Sequence, residues 1–237
     1  MSFQIHWHEG LFLQPQHLQK MQKHLFDLTA AQRSLLCPYP YGMLDVKIAP
    51  DDLEAMRMRF TRLRAIMPSG LEIDFPRNTE LPSIDLKQAF SNSAGGINIY
   101  LAVPLYSDTR ANTLDLERAA DARTKLLYKV SEMECADENN GENSKPILVR
   151  RINARLMMEH EDRSDMEVLP LLRIIRTINT DVSLPRQDPD YVPPCLTLQA
   201  SPVLRDLMRD LSAQVEASRR ELAIQMARGG FAIEALR

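Results

Sequence analysis

Apolar and polar residues recur along this chain with two different periods, and the change between them divides the sequence. Over residues 15–36, Leu18, Met21, Leu25, Leu28 and Leu35 fall at steps of three, four and seven, which predicts one amphipathic helix. Pro15 suits its first turn, where a missing N–H costs no hydrogen bond. Cys37-Pro38 and Pro40 end it, because the residue before a proline is pushed out of the α region.

From Tyr41 to about Thr180 the period becomes two. Residues 56–67, MRMRFTRLRAIM, alternate apolar and basic side chains, and the apolar phase moves from Met56, Met58 and Phe60 to Leu63, Ala65 and Met67. Such a change predicts a β-bulge, or two strands meeting. Pro68-Ser69-Gly70 reads as a turn, and Leu71, Ile73 and Phe75 resume the alternation, so a hairpin is expected. Ile97 to Leu105 forms another alternating run, Thr124, Leu126, Tyr128 and Val130 a fourth, and Ile147 to Met158 a fifth. Glu167 to Ile178 is apolar on both parities, as in a strand buried on both faces or crossing between sheets. Several strands with no amphipathic helix between them predict a mainly β fold, an antiparallel sandwich or barrel.

The period changes again near the C-terminus. Pro185, Pro189, Pro193 and Pro194 keep residues 180–200 extended, so the stretch reads as a linker. Ser201-Pro202 then places an N-cap hydroxyl before a proline at the first helical position. Leu204, Met208, Leu211, Val215, Leu222 and Met226 follow a spacing of about 3.5, broken by Ser218, which predicts the seam of a bundle or coiled-coil helix. Gly229-Gly230 interrupts it, and FAIEALR opens a further apolar segment whose partners would lie in missing sequence or in other subunits.

Composition narrows the function. With 29 basic and 32 acidic residues among 237, the formal charge is −3, against the basic surplus of a dedicated nucleic-acid binder. No run approaches the roughly 18 apolar residues of a membrane span, and MSFQIHWHEG lacks the form of a secretory signal. Cys37, Cys135 and Cys195 are odd in number and widely spaced, the pattern of reduced thiols in a cytoplasmic protein. Eight glycines against fifteen prolines leave little material for a Gly-rich phosphate loop.

Three clusters carry possible chemistry. His6, His8, Glu9, His17 and His24 crowd the N-terminus, and a metal-dependent hydrolase using His6, His8 and His17 is an alternative reading. A catalytic zinc needs three convergent ligands, and no downstream Asp/His cluster completes a site, so no metal or cofactor is expected. Glu132, Glu134, Asp137, Glu138 and Glu142 surround Asn139-Asn140-Gly141 with the wrong spacing for an EF-hand. They read as a polar hairpin tip, with Asn-Gly supplying the positive φ values. Arg57, Arg59, Arg62 and Arg64 read as a solvated or charge-guarded sheet face, with contact to a protein partner as the functional alternative. There is no GxSxG and no Cys/His pairing, so catalytic residues are not expected.

The segment Trp7–Gln19, WHEGLFLQPQHLQ, resembles the N-terminal signature of the TssK family, baseplate subunits of bacterial type VI secretion systems also called VasE or ImpJ. Trp7, Glu9, Gly10, Leu11, Phe12, Leu13, Pro15, Gln16 and His17 fall on that pattern, and Leu18 stands where phenylalanine is often found. VPPCLTLQASPVL, which holds Pro193 and Pro194, looks like the family's passage into its helical neck, and DENNGENSKPILVRRINARLMME resembles its acidic hairpin and the asparagine-bearing strand after it. The resemblance implies a β-sandwich shoulder with an N-terminal helix over residues 1–190, then a linker and the start of a helical-bundle neck over 191–237. It implies a non-enzymatic homotrimer docking on the TssF/TssG wedge, with a C-terminal head, absent from this chain, engaging the TssJ/TssL/TssM membrane complex. The expected location is the cytoplasm of a Gram-negative bacterium, at the inner face of the cytoplasmic membrane, without insertion into it. A phage-tail receptor-binding protein is a further alternative with the same architecture. Trp7, Leu11, Phe12 and Leu13 form an apolar arm too dense to stay in solvent alone. Its own shoulder, a trimer neighbour and a wedge protein are its three possible covers, in that order.

Overall fold

A computed structural model describes residues 3–92, 95–114, 126–176 and 184–227. In chain order these form α1 (Pro15–Leu36), β1 (Gly42–Ile48), α2 (Pro50–Glu54), β2 (Arg57–Met58), β3 (Phe60–Ile66) and β4 (Glu72–Phe75). There follow β5 (Ile84–Asp85), α3 (Lys87–Asn92), β6 (Ile97–Pro104), β7 (Thr113–Leu114), β8 (Tyr128–Cys135) and β9 (Lys145–Ile152). The chain continues through β10 (Arg155–Met158), β11 (Met166–Arg176) and β12 (Pro185–Gln187) to α4 (Pro202–Ala227). Thr124, residues 177–183 with the end of the buried run and the start of the extended stretch, Gly229-Gly230 and the final FAIEALR lie outside the described residues.

Two sheets make the sandwich. One has the order β1-β3-β4 and the other β10-β6-β11-β12, with every ladder in them antiparallel. Their inward side chains share one cluster, Phe60, Leu63 and Ile73 from the first sheet meeting Ile99, Leu101 and Leu169 from the second. The mainly β class is therefore as the alternation indicates. A two-stranded piece, β2-β5, and a three-stranded sheet, β7-β8-β9, complete it, and the short β7-β8 pairing is parallel.

The phase change in residues 56–67 has both of its possible causes. Met58 belongs to β2, paired with β5, whereas Phe60 opens β3 on β1, so two strands meet at Arg59. Within β3, Lys47 faces Arg62 but Ile48 faces Phe60, leaving Thr61 unmatched as a bulge that moves the buried phase to Leu63. β11 does the same. Pro170 faces Tyr100 and Leu172 faces Ile99, so Leu171 is extra, and Leu169, Leu171, Leu172 and Ile174 are all buried. Proline is tolerated there because a bulge interrupts the ladder.

Three expectations need correction. Helices do lie between the strands, but α2 and α3 are five and six residues long, too short to show a helical period. Ile147 to Met158 is not one strand: β9 pairs with β8 and β10 with β6, parted at Asn153-Ala154, where the Asn153 amide donates to Leu126 O at 2.9 Å. The extended stretch is also bound to the sandwich. Pro185–Gln187 pairs with β11, and Met43 N–H donates to Pro194 O (2.9 Å) while Leu196 N–H donates to Met43 O (2.8 Å).

The Pro68-Ser69-Gly70 turn joins β3 to β4 as expected, closed by Met67 N–H to Leu71 O at 2.9 Å. Glu167 on β11 accepts the Ser69 backbone N–H (2.5 Å) and hydroxyl (2.7 Å), tying that turn to the opposite sheet. The acidic segment is a hairpin tip between β8 and β9. Its positive φ values fall on Gly141 (71°) and Asn143 (52°), not on Asn140.

Candidate protein interface

The N-terminal arm folds onto the start of α1. Gln14 N–H donates to His17 Nδ1 at 3.0 Å, and His17 N–H donates back to Gln14 O at 3.0 Å. Trp7 lies against the same imidazole, ring centroids 6.4 Å apart. Upstream, a turn at Glu9-Gly10 is closed by Leu11 N–H to His8 O at 3.3 Å. Trp7, Pro15, Gln16 and His17 of the signature thus meet at one helix end, His17 serving as a cap.

The rest of the arm does not enter its own shoulder. Trp7 is 53% exposed, Phe12 82% and Leu13 54%, and only Leu11 is half-buried. The first of the three covers considered for the arm is therefore not the one adopted in the isolated chain.

Helix α1 continues this exposure, with no fully buried residue along its 22 positions. A few side-chain links hold it to the sandwich: Arg33 donates to Gly70 O (3.1 Å), Arg150 donates to Gln22 Oε1 (2.6 Å), and Lys23 lies 5.0 Å from the Tyr106 ring centroid. Between helix and sandwich lies a cavity of about 710 Å³, reached by Gln22, Phe26, Thr29 and Arg33 from the helix. At 100° per residue, the stripe Leu18, Met21, Leu25, Leu28 and Leu35 is centred about 100° away from those four positions, and its side chains are 41% to 87% exposed. The helix thus turns its apolar stripe outward.

The second surface is α4. Ser201, fully buried, begins it: its O accepts Arg205 N–H at 3.0 Å and its hydroxyl accepts Leu204 N–H at 3.4 Å. Leu204 is half-buried against this end, whereas Met208, Leu211, Val215, Leu222 and Met226 stand uncovered. Pro193 is buried and Pro194 half-buried, and Thr197 Oγ1 donates to Leu44 O at 2.5 Å. These prolines anchor the passage into α4; they do not extend the exposed surface.

The other sequence clusters resolve into local structure. Arg59 pairs with Asp52 (3.2 Å), Arg62 with Asp45 (2.7 Å), and Arg64 with Glu72 (3.3 Å) and Asp74 (3.7 Å). The basic stripe keeps the solvated character expected of it, with Arg57, Arg59 and Arg62 exposed, while Arg59, Arg62 and Arg64 also gain acidic partners on neighbouring elements. His6 and His8 rings lie 5.5 Å apart. Among the described residues no group of three or more His, Cys, Asp or Glu side chains could hold a metal ion. Burial pushes the Cys195 thiol up, as for a small hydrophobe against the core. At the acidic tip, hydrogen bonds from the Asn139 backbone and side chain hold Asp137 below the usual carboxylate range. Among the described residues no helix is long and apolar enough to cross a membrane. Sequence reasoning missed the exposed apolar side chains of the β8–β9 ribbon, Met133, Ile147 and Leu148, because strand alternation normally marks a buried face.

The chain is 26% identical over 207 residues to the type VI secretion system baseplate component TssK1 of Pseudomonas aeruginosa, covering 86% of this chain and 45% of that protein. It therefore spans less than half the length of that relative. Its fold matches a chain of the TssK–TssF–TssG baseplate subcomplex seen by cryo-electron microscopy, with a TM-score of 0.85 and 25% identity, over 96% of this chain and 73% of the other. A crystal structure of TssK shares the fold over all of this chain and 52% of its own, with a TM-score of 0.81 and 22% identity. The family model for bacterial type VI secretion proteins, described as EvfL, ImpJ and VasE, matches residues 17–235. The chain belongs to that type VI secretion family.

Proposed function

We propose that this chain is the shoulder and the first part of the neck of a TssK-type baseplate subunit, a structural adaptor that docks on the TssF/TssG wedge. The observation that carries the reading is the match, along 96% of the chain, to a TssK–TssF–TssG subcomplex. The physical support is the outward apolar surface. An arm and a helix stripe with side chains about half exposed or more form a patch of the kind that marks protein contact sites.

The division proposed is a shoulder over residues 1–190 and a linker with the beginning of the neck over 191–237. Three copies associate, with α4 supplying its seam of Leu204, Met208, Leu211 and Val215 to the axis. Connection to the TssJ/TssL/TssM membrane complex belongs, in this reading, to a head that these 237 residues do not include. The protein works in the cytoplasm beneath the inner membrane and by binding, not by catalysis.

The test is co-purification of the full-length protein with TssF and TssG, for the wild type and for Trp7→Ala combined with Phe12→Ala. Both side chains are more than half exposed, so the double variant stays folded by circular dichroism. The expected result is at least about a tenfold loss of wedge recruitment, as for aromatic anchors at an interface. Wild-type protein that recruits neither subunit overturns the reading. Full recruitment by the double variant removes the arm from it.

A further inference from the structure

The outer face of the four-stranded sheet gathers arginines among a smaller set of local acids, and the β8–β9 ribbon is predominantly acidic. On the sheet, Tyr100, Arg155 and Arg173 occupy the positions that alternate with core-facing Leu101, Leu156 and Leu172. Arg163, from the loop before β11, places its guanidinium 3.8 Å from the Tyr100 ring centroid. Arg186 stands exposed on β12. Asp188 lies 3.9 Å from Arg173, and Glu159 accepts the Asn98 amide at 3.0 Å.

Among the described residues no acid pairs with Arg155 or Arg163 within 4 Å, although Glu161, Asp162 and Asp165 share the loop of Arg163. Arg155 donates to the Met166 sulfur at 3.4 Å, a weak acceptor, and Arg163 to the backbone oxygen of Glu159 at 3.0 Å. The Nε atoms of both are buried without a partner. Guanidinium groups held this way, with their stems packed and an aromatic ring beneath one of them, are suited to carboxylates.

The ribbon is the counterpart. From Glu132 to Leu148 every residue is exposed except half-buried Cys135. This part carries five carboxylates, Glu132, Glu134, Asp137, Glu138 and Glu142, against the single Lys145. Met133 and Ile147 face each other across the ladder, 49% and 44% exposed. A two-stranded ribbon is marginal in water without something to pack on. From Lys145 to Ile152 the strand spans about 23 Å at roughly 3.3 Å per residue. The tip is therefore far from Arg155 of its own chain, which follows Ile152 by three residues.

We infer that the acidic β8–β9 ribbon of one copy lies across the arginine face of a second copy, its carboxylates on Arg155, Arg163 and Arg186. Because donor and receiver are different patches, the contact is head-to-tail and closes as a ring. This rests on the trimeric association proposed above and assigns its shoulder contact. Half-buried Val168 and Pro170, on the same sheet face, offer apolar cover to Met133 and Ile147.

The test measures association of the full-length protein by sedimentation and native mass, at low and high salt. The variants are Arg163→Glu with Arg186→Glu, Glu138→Lys with Glu142→Lys, and all four together. Each pair alone is expected to weaken association about tenfold or more, and the four together to restore it to within about threefold, as charge pairs across an interface do. If the arginine reversal lowers the thermal midpoint, Arg163→Gln with Arg186→Gln is measured in its place, with weakening again expected. Trimers of unchanged affinity in both pairs overturn the inference and leave the trimeric reading standing. A monomeric wild type overturns the trimeric reading itself. Weakening by each pair without recovery in the fourfold variant overturns the ribbon-to-face pairing. Loss of TssF/TssG recruitment with the trimer intact overturns it too, and makes the wedge the ribbon's partner.

Discussion

Replacing Gly42 by alanine tests whether the passage into α4 is built onto β1 or merely follows it. Gly42 has φ of +136°, and a Cβ there would lie 2.8 Å from Cys195 N, 2.8 Å from Pro194 C and 2.9 Å from Pro194 O. These are backbone atoms and cannot swing aside. A side-chain-bearing residue in such a conformation costs about 1–3 kcal/mol. Relieving the clash moves residues 194–197 away from β1, which breaks the bonds of Met43 N–H to Pro194 O and Leu196 N–H to Met43 O, and strains Thr197 Oγ1 on Leu44 O. At about 1 kcal/mol for each bond, the total reaches about 3–6 kcal/mol. That is a large part of the roughly 5–15 kcal/mol that holds a domain folded. Urea unfolding followed by circular dichroism measures it. Gly141→Ala is the internal control, because Gly141 has φ of +71° but nothing within 4 Å of an added Cβ, and costs only about 1 kcal/mol. If Gly42→Ala costs no more than Gly141→Ala, close approach to residues 194–195 is not what demands glycine, and the reasoning fails.

Two further outcomes follow from buried polar groups. Thr79 is fully buried and its hydroxyl donates to Ile152 O at 2.7 Å, so Thr79→Val strands that carbonyl and lowers stability by about 1–3 kcal/mol; an unchanged urea midpoint refutes it. Burial raises the Tyr128 phenol above its ordinary 10.0, partly opposed by Arg150 stacked 4.7 Å from its ring. The folded state therefore holds that proton more tightly than the unfolded one. This stabilisation is complete below pH 10.0 and is lost as pH rises through the raised value, so alkaline unfolding midpoints should fall less steeply in Tyr128→Phe than in the wild type.

The sequence showed most clearly those elements whose burial follows a simple period. Pro15 and Pro38 bracket α1, and Ser201-Pro202 begins α4, because proline and a capping hydroxyl act on the backbone directly. The phase change after Phe60 pointed to a bulge or a strand junction without any knowledge of β1, and the two occur side by side at Thr61 and Arg59. Pairing was illegible wherever it depended on distant residues. Arg59, Arg62 and Arg64 read as a solvated or charge-guarded face, but their partners Asp52, Asp45, Glu72 and Asp74 were not legible because only the fold brings them alongside. The proline-rich stretch likewise looked like a free linker, since its hydrogen bonds run to Met43, about 150 residues earlier in a chain whose loops close at slowly growing entropic cost.

The signature around Trp7 shows a second limit. Its apolar density was legible, and so was the stripe of α1, but a period states only that one side of a helix is apolar. It does not state which side meets the body. Gln22, Phe26, Thr29 and Arg33 face the sandwich across the cavity, and the leucines face out. Neither α1 nor α4 has a fully buried residue, although each carries a regular apolar stripe. Isolated helices draw little stability from propensity alone and take most of it from tertiary packing of an apolar face. In both helices that face is uncovered in the single chain. In the reading proposed above, whatever covers these faces therefore adds to the stability of both helices.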